Sequence, residues 1–363
     1  MARLQEASMT KTMSKPKKTL LTLFILGVIY TIIILIRSVL FYQQNILPTQ
    51  SNAAENKANN INHYPFDIGF CQEQCKTITT DFVTLDDNKV YVVDYSKIKN
   101  LRGDDGTHYM PLTIGLYSLA HHSRFLRYNK AEDEQLFISN SNWLRDNLNE
   151  DGCWIFHFNL MNSKAPWCSG MAQGLGLSAL VRAYNHTQDQ SYLDAAMQAL
   201  RPFALDNKFT VTYVTDDGYH FYEETSARDE PIHILNGFLF AMIGLYDLHQ
   251  QTQLELVGEY YNQAVRTLHR YNSEFETGNW SLYSLDPNSN LRNHYRYASP
   301  SYQRLHVIMF QAMYDMTGEK HYQEAYLRHL QYLESSWINF IIIPAYLTYQ
   351  DLSWTIKTVR NLI

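Results

Sequence analysis

Apolar residues recur at three- and four-residue steps through most of residues 101–335, which is the spacing of one face of an α-helix. Such segments come in pairs, each pair joined by a short polar turn, over residues 108–148, 170–204, 234–271 and 301–333. The first segment of a pair is the more apolar and the second the more charged, which is expected of inner helices around a core and outer helices facing water. The pattern predicts an all-α dominated domain, an incomplete (α/α) toroid of about four helical hairpins.

Short β-prone segments lie between these pairs and precede an inner helix. They comprise a predicted hairpin region at 76–100 with its turn after Leu85, and the segments 153–158, 209–224 and 275–285. We therefore expect short β-hairpins at one rim of the toroid. Loops gathered at one rim commonly carry binding and chemistry, and helix N-termini there would favour an anion.

The N-terminal region has a different pattern. Residues 19–36 form an uncharged apolar run, and the flank to residue 42 can extend it, so 19–42 is predicted to be a transmembrane signal anchor. The basic tail at 1–18 predicts a cytoplasmic N-terminus in a single-pass membrane protein, with the helical domain on the exocytoplasmic side. A cleaved signal peptide is the alternative, but no small-x-small cleavage site follows the run.

The remaining boundaries follow from composition. Residues 43–75 are polar and Asn-rich and predict a stalk, whereas 336–363 is an aromatic and apolar C-terminal packing segment. The helical domain is therefore placed at 101–335.

Four cysteines suit an oxidising compartment: Cys71, Cys75, Cys153 and Cys168. They allow two disulfides in three connectivities. A zinc site is the competing interpretation, but the spacing of Cys71 and Cys75 without paired His ligands is poor for zinc, so we expect no metal.

Charge and composition narrow the class of ligand. The formal net charge is −6, and because residues 1–18 are basic the rest of the chain is more acidic still, which argues against nucleic acid as a partner. The 27 tyrosines offer apolar faces with polar handles, which suit sugars. We expect no cofactor; a homodimer is compatible with the sequence.

Two clusters could carry chemistry. Glu223 and Glu224 precede the most apolar helix, where neighbours can shift their pKa values, although solvated acids near a helix start are the ordinary alternative. The second cluster, residues 287–314, has no acid but contains Arg292, His294, Arg296, Arg304 and His306 among tyrosines. It indicates an anionic, ring-shaped ligand, unless these side chains are merely exposed on a loop.

Several blocks resemble the D-glucuronyl C5-epimerases that act on heparan-type polysaccharides. The block from Tyr109 to Tyr117 is similar to the family's Tyr-Pro-Ile-Gln-Ile-Ala-Gln-Tyr, and that from Trp167 to Gly174 to Trp-Tyr-Ser-Ala-Met-Ala-Gln-Gly. The blocks at 222–224, at 235–248 and from Tyr302 to His306 are similar as well. The resemblance covers roughly residues 100–335 in order.

The resemblance implies epimerisation at C5 of D-glucuronate to L-iduronate within an acidic polysaccharide of the heparosan or heparan type. It implies paired acid/base roles for Glu224 and Tyr302, with Tyr283 assisting. Together with the basic cluster, it predicts substrate contacts at Tyr109, Trp167, Gln173, Tyr222, Asn236, Arg292, Arg296, Arg304 and His306. Family calcium binding belongs to parts that this chain lacks and is not expected here.

The chain departs from the family pattern at three places. Thr225 follows Glu224 where the family has Tyr, Gln303 stands where a His is usual, and Asp286 lies in a segment that usually continues Asp-Leu-Arg-His. Two alternatives therefore stay open: a uronate polysaccharide lyase, which shares the C5 proton removal, and a non-catalytic glycan-binding or assembly protein.

Overall fold

The computed structural model describes residues 25–33, 35–36, 82–97, 106–160, 163–226, 230–286 and 297–334. Two compact units are distinguished, one of residues 1–47 with 335–363 and one of residues 48–334. In the first unit, residues 25–33 and 35–36 are helical. Among the residues with described positions, no helix has the length and apolarity needed to cross a membrane. Most of the predicted anchor, the stalk at 43–75 and the packing segment at 336–363 lie outside the described residues.

The second unit begins with a small antiparallel sheet. Strand β1 (Val83–Leu85) pairs with β2 (Tyr91–Asp94), which pairs with β3 (Thr107–His108). The turn after β1 is held by Asp86, whose Oδ1 accepts hydrogen bonds from the backbone N of Asn88 and Val90. The hairpin predicted at 76–100 is thus confirmed in its β1–β2 part, and β3 is an addition that the sequence pattern did not indicate.

Helical hairpins make up most of this unit, so the prediction of a helix-dominated chain is confirmed. Their helices are α1 (Pro111–Tyr128), α2 (Ala131–Asp146), α3 (Gly170–Thr187), α4 (Gln190–Ala199), α5 (Leu235–Thr252), α6 (Glu255–Tyr271), α7 (Pro300–Thr317) and α8 (Lys320–Glu334). Each odd-numbered helix packs against the even-numbered helix that follows it. The odd-numbered helices also pack on one another in chain order, α1 on α3, α3 on α5 and α5 on α7.

The core lies along the odd-numbered helices. Most side chains of α3 and α5 are buried, whereas α4 and α6 bury only one face, as the sequence asymmetry predicted. Two glycines let α3 and α5 cross closely: a Cβ on Gly174 would lie 2.3 Å from the carbonyl O of Phe240, and one on Gly244 would lie 2.2 Å from the carbonyl O of Gly174. A larger residue at either place would force the two helices apart.

Short β elements join the hairpins. Strands β4 (Thr212–Val214) and β5 (His220–Tyr222) form an antiparallel hairpin before α5, as the segment 209–224 predicted. Single bridges Phe156↔Trp167 and Leu282↔Tyr297 precede α3 and α7. These connections deliver the chain to the N-terminal ends of the odd-numbered helices.

A disulfide links Cys153 to Cys168 just before α3. Of the disulfide connectivities that the sequence left open, the structure therefore shows the one that pairs Cys153 with Cys168. Cys71 and Cys75 lie outside the described residues.

Candidate active site

A cavity of about 480 Å³ lies at the N-terminal ends of α1, α3, α5 and α7. Each of these helices contributes side chains from its first turns, and the β1–β2 sheet and the loops add the rest. A volume of this size falls in the range of about 300–1,000 Å³ that is usual for small-molecule sites. The lining includes Phe82, Val83, Val93, Tyr95, Met110, Leu112, Thr113, Leu116, Phe156, Leu160, Trp167, Ser169, Met171, Glu224, Thr225, Asn236, Phe240, Tyr283, Tyr302, Arg304, Leu305 and Ile308.

Glu224 lies at this cavity because the chain that follows β5 contacts the first residues of two helices, α3 and α5. The backbone N of Gly170, at the start of α3, donates to the carbonyl O of Glu223 at 2.7 Å. At the start of α5, a Cβ on Gly237 would lie only 2.4 Å from Oε2 of Glu224. Only glycine at 237 leaves room for the carboxyl group, so the helix start and the acid fit together as one unit.

The carboxyl group of Glu224 is 9% exposed and has weak support from the protein. Asn236 Nδ2 donates to its Oε2 at a long 3.5 Å. Burial, and to a smaller extent the charge of Glu223, raises the pKa of Glu224 to about 8. Glu224 is therefore mostly protonated at neutral pH and can donate a proton inside the cavity.

Glu223 is bound differently, although it is the adjacent residue. Its Oε1 lies 2.5 Å from Nδ1 of His233, and its Oε2 accepts from the backbone N of His233 at 3.2 Å and of Ile232 at 3.4 Å. The His233 ring stacks on Phe221 with centroids 4.0 Å apart. Glu223 thus fastens the loop before α5, and Glu224 faces the cavity.

Tyr283 and Tyr302 meet at the same cavity. Their ring centroids are 4.6 Å apart, with Tyr283 buried and Tyr302 half-buried. The carbonyl O of Tyr283 accepts from the backbone N of Leu235, which ties this tyrosine to the start of α5 near Glu224. Arg304, two residues after Tyr302 on α7, also lines the cavity. An acid, two phenols and a guanidinium are therefore brought together.

Gln303 explains how the two tyrosines are held together. Its Oε1 accepts from the backbone N of Ser281 at 2.9 Å and from Ser281 Oγ at 2.6 Å, and its Nε2 donates to the carbonyl O of His329 at 3.2 Å. The residue that departs from the family pattern thus joins the Tyr302 helix to the Tyr283 segment and to α8. It does so from a fully buried position.

Trp167 and Asn236, for which the sequence predicted substrate contacts, also line the cavity. Trp167 stacks on Phe156 with centroids 4.1 Å apart, and its Nε1 donates to the carbonyl O of Phe158. Asn236 is 2% exposed, and its Oδ1 has no hydrogen-bond partner among the described residues. Such an unsatisfied buried acceptor is commonly completed by a ligand or a water molecule.

Four other predicted contacts are not brought to the cavity. The hydroxyl of Tyr222 donates to the carbonyl O of Tyr260 at 2.7 Å, within the core. Gln173 is fully buried, and its Nε2 donates to the carbonyl O atoms of Gly152 and Ala199. The side chains of Tyr222 and Gln173 therefore link separate segments of the chain by hydrogen bonds in the core.

His306 and Tyr109 complete this group. His306 is fully buried, its Nδ1 lies 2.9 Å from Ser281 Oγ, and burial lowers its pKa well below the ordinary value. Tyr109 is 45% exposed, stacks on Trp143 and donates to Asp86 Oδ2, beside a separate surface hollow. Arg292 and Arg296 lie outside the described residues.

Sequence reasoning missed the part of the cavity lining that comes from the N-terminal sheet. Val83, Val93 and Tyr95 were assigned only to a hairpin, although all three line the cavity. The β-prone residues of that hairpin predicted strands but not what the strands cover. Thr225, noted only as a departure, lines the cavity beside Glu224.

With this geometry established, comparison with known proteins is informative. The family model of the D-glucuronyl C5-epimerase C-terminus matches residues 148–331, about half of the chain. The chain belongs to this family. Glu224, Tyr283, Tyr302 and Arg304 all lie within the matched residues, whereas the sheet and α1 precede them.

Two relatives are similar over comparable stretches. A D-glucuronyl C5-epimerase of Caenorhabditis elegans is 29% identical over 174 residues, which are 43% of this chain and 28% of that protein. The uncharacterized protein MJ1128 of Methanocaldococcus jannaschii is 24% identical over 175 residues, 47% of this chain and 54% of that protein. The chain thus spans about a quarter of one relative and about half of the other.

Proposed function

We propose that this chain epimerises D-glucuronate to L-iduronate at C5 within an acidic polysaccharide of the heparosan or heparan type. The observation that carries the proposal is the convergence of Glu224, Tyr302, Tyr283 and Arg304 on one cavity. Family membership supports the same reaction, since the matched residues include all four of these side chains.

The chemical difficulty is removal of a carbon-bound proton next to a carboxylate. The negative charge that develops on the carboxylate in the enediolate-like intermediate needs a cation beside it. Among the cavity-lining residues with described positions, Arg304 is the only cation, and it is the group we assign to this role.

The two proton-transfer roles fall on different elements of the cavity. Tyr302, as its phenolate, takes the proton from C5 of glucuronate, and the electron pair of the C–H bond passes into the enediolate. Glu224, protonated at neutral pH because its pKa is raised to about 8, returns a proton to C5 from the other side of the ring. In the reverse direction the two roles exchange.

The test is incubation of the full-length chain with an unsulfated glucuronate polymer in deuterated water, with deuterium at C5 read by NMR. We expect deuterium at C5, new iduronate signals and unchanged chain length. Tyr302→Phe should lower the rate by about 10²–10⁴ because it removes a proton-transfer group. Tyr297→Phe is the matched control, since Tyr297 is 50% exposed and outside the cavity lining.

Other outcomes would overturn the proposal in distinct ways. Chain shortening with unsaturated uronate ends would indicate a lyase, which expels the C4 substituent after C5 deprotonation. Polymer binding without C5 exchange would indicate a non-catalytic glycan-binding protein. Equal rates for Tyr302→Phe and the wild-type chain would remove Tyr302 from the mechanism.

We further propose that the helical hairpins form an incomplete (α/α) toroid. The successive packing of α1, α3, α5 and α7 supports this arrangement, as does the gathering of their N-terminal ends around one cavity. Exocytoplasmic placement behind an N-terminal anchor also stays a proposal, which the Cys153–Cys168 disulfide supports because such bonds persist in oxidising compartments.

A further inference from the structure

Inversion by two proton-transfer groups requires that these groups keep a fixed separation on opposite sides of the sugar ring. Glu224 and Tyr302 line the cavity from different elements, Glu224 from the chain after β5 and Tyr302 from α7. A misplacement of about 1 Å in a reacting group can cost about 100-fold in rate. The contacts that join these two elements therefore bear directly on the reaction.

Glu223 is fixed by its backbone on the side of the cavity acid. Its N donates to the carbonyl O of Val211, and its carbonyl O accepts from the N of Gly170, both at 2.7 Å. Because Glu223 and Glu224 are consecutive residues, these bonds also hold the backbone from which the Glu224 carboxyl group projects. The position of the acid therefore depends on how Glu223 is held.

The side chain of Glu223 holds the loop that leads into α5. It accepts hydrogen bonds from the backbone N of Ile232 and of His233, and its Oε1 lies 2.5 Å from Nδ1 of the His233 ring. His233 has a φ of 49°, in the left-handed region that a residue with a Cβ seldom adopts. The contacts with Glu223 thus hold the loop in a conformation that His233 would not favour by itself.

The same loop contacts both tyrosines of the cavity. The backbone of Ile234 pairs with that of Ser284 in a single β-bridge, directly after Tyr283. Ile232 and Ile234 also pack with Tyr283 in a small buried apolar cluster. Tyr302 packs against that cluster. A displaced loop would therefore shift both phenols relative to the acid of the cavity.

We propose that Glu223 and His233 are a positioning pair, which sets Glu224 at the separation from Tyr302 that inversion at C5 requires. Glu223 reaches the acid through the backbone and the tyrosines through the loop. Neither residue of the pair belongs to the described lining of the cavity, so the pair acts through the groups that it holds. This inference rests on the proposed epimerase function and adds two residues to its machinery.

The first test compares two substitutions at His233 in the full-length chain, with the unsulfated glucuronate polymer as substrate. His233→Gly keeps the left-handed backbone accessible but removes the ring, so kcat for iduronate formation should fall at least about tenfold while KM stays within about threefold. His233→Asn should restore kcat to within about threefold of wild type, because Asn tolerates the same backbone and its amide N can take the place of Nδ1.

These two variants separate the hydrogen bond from the other contact of the ring. The His233 ring also stacks on Phe221, and this contact is lost in both variants. Equal losses of kcat in His233→Gly and His233→Asn would therefore assign the effect to the stack and overturn the pair. Wild-type kcat in His233→Gly would overturn the proposal as well.

The second test is Glu223→Gln, which keeps the size of the side chain but removes the charge that strengthens its contact with His233. We expect kcat to fall about tenfold with little change in KM. Each enzyme is measured at its own pH optimum, because the charge of Glu223 also contributes to the raised pKa of Glu224. Glu134→Gln is the matched control and should keep wild-type kcat, since Glu134 pairs with His186 at 2.7 Å outside the described lining.

A product ratio separates positioning from stability. In deuterated water, proton return from Glu224 gives deuterated iduronate, whereas return from the Tyr302 side gives deuterated glucuronate once the phenol has exchanged with water. A misplaced acid should raise the early ratio of deuterated glucuronate to deuterated iduronate by at least about threefold in His233→Gly and Glu223→Gln. A loss of folded protein lowers both products equally, so a lower kcat with an unchanged ratio would reject the positioning role.

The outcomes separate this inference from the proposed function. No C5 exchange by the wild-type chain would reject the epimerase function itself. Exchange by the wild-type chain, at rates that His233→Gly and Glu223→Gln leave unchanged, would keep the epimerase function and reject only the positioning pair.

Discussion

The two ends of helix α5 each hold a buried carboxyl group in a contrasting environment. Near its C-terminal end, Asp247 is 2% exposed, and its Oδ2 accepts from Arg182 at 2.6 Å and from Ser178 Oγ at 2.7 Å. Near its N-terminal end, Glu224 accepts a long hydrogen bond of 3.5 Å from Asn236 Nδ2 and lies beside a second acid, Glu223. One carboxyl group is paired with an arginine, and the other lines a cavity with its pKa raised by burial.

The comparison shows that burial affects the two carboxyl groups differently. The ion pair of Asp247 joins α5 to α3 inside the helical core and offers no access to a ligand. Glu224 lines a cavity, and burial raises its pKa to about 8. We therefore expect substitutions at the two ends to have opposite effects on activity and stability.

The largest effect is expected from Glu224→Gln. It should lower C5 exchange by about 10²–10⁴ because the amide keeps the shape but cannot donate a carboxyl proton. The measurement is C5 deuterium exchange under saturating polymer, with polymer affinity measured in parallel. Wild-type rates in this variant would show that Glu224 takes no part in proton transfer.

The same variant should also change the pH dependence of stability. The folded-state pKa of Glu224 is above its ordinary value, so the folded chain holds a proton that the unfolded chain releases between about pH 4.5 and about pH 8. The free energy of unfolding of the wild-type chain therefore falls as pH rises through this window. The free energy of unfolding of Glu224→Gln, relative to that of the wild-type chain, should rise over the same window. Urea unfolding at several pH values measures it; a constant difference would contradict the raised pKa.

Asp247→Ala should have the next largest effect, on stability alone. Removing one partner leaves Arg182 charged and buried, which costs about 3–5 kcal/mol. Glu274→Ala is the control, because its ion pair with Arg270 is exposed and should contribute less than about 1 kcal/mol. Urea unfolding curves compare the two variants, and similar small losses would show that the buried pair is not needed for stability.

The smallest effect is expected from the double substitution Cys153→Ser with Cys168→Ser. The disulfide closes a loop with a sequence separation of 15, which corresponds to about 3 kcal/mol of stability in the chain-entropy model. Since neither residue titrates in the bond, the loss should be the same at every pH, unlike the Glu224 effect. A pH-dependent loss would mean that the disulfide acts through the carboxyl groups at the cavity.

Much of the helical architecture was predictable because its signals are local. The three- and four-residue steps identified the hairpins, and the turn after Thr215, with Gly218 at φ 83°, was visible as Asp-Asp-Gly. The same pattern could not separate Glu223 from Glu224, since adjacent residues share one local environment. Their difference comes from His233 and Gly237, which pack against them only in the folded chain.

The sequence by itself determined the paired helices, the β1–β2 and β4–β5 hairpins and the presence of an acid, two tyrosines and an arginine of the right chemistry. Only the tertiary structure decided that Glu224 faces the cavity, that Tyr222 and Gln173 serve the core, and that the N-terminal sheet completes the lining. The physical reason is the separation along the sequence of the residues that interact. Helix periodicity and turns act over a few residues, whereas burial, pairing and pKa depend on contacts such as Arg182 with Asp247, which are 65 positions apart.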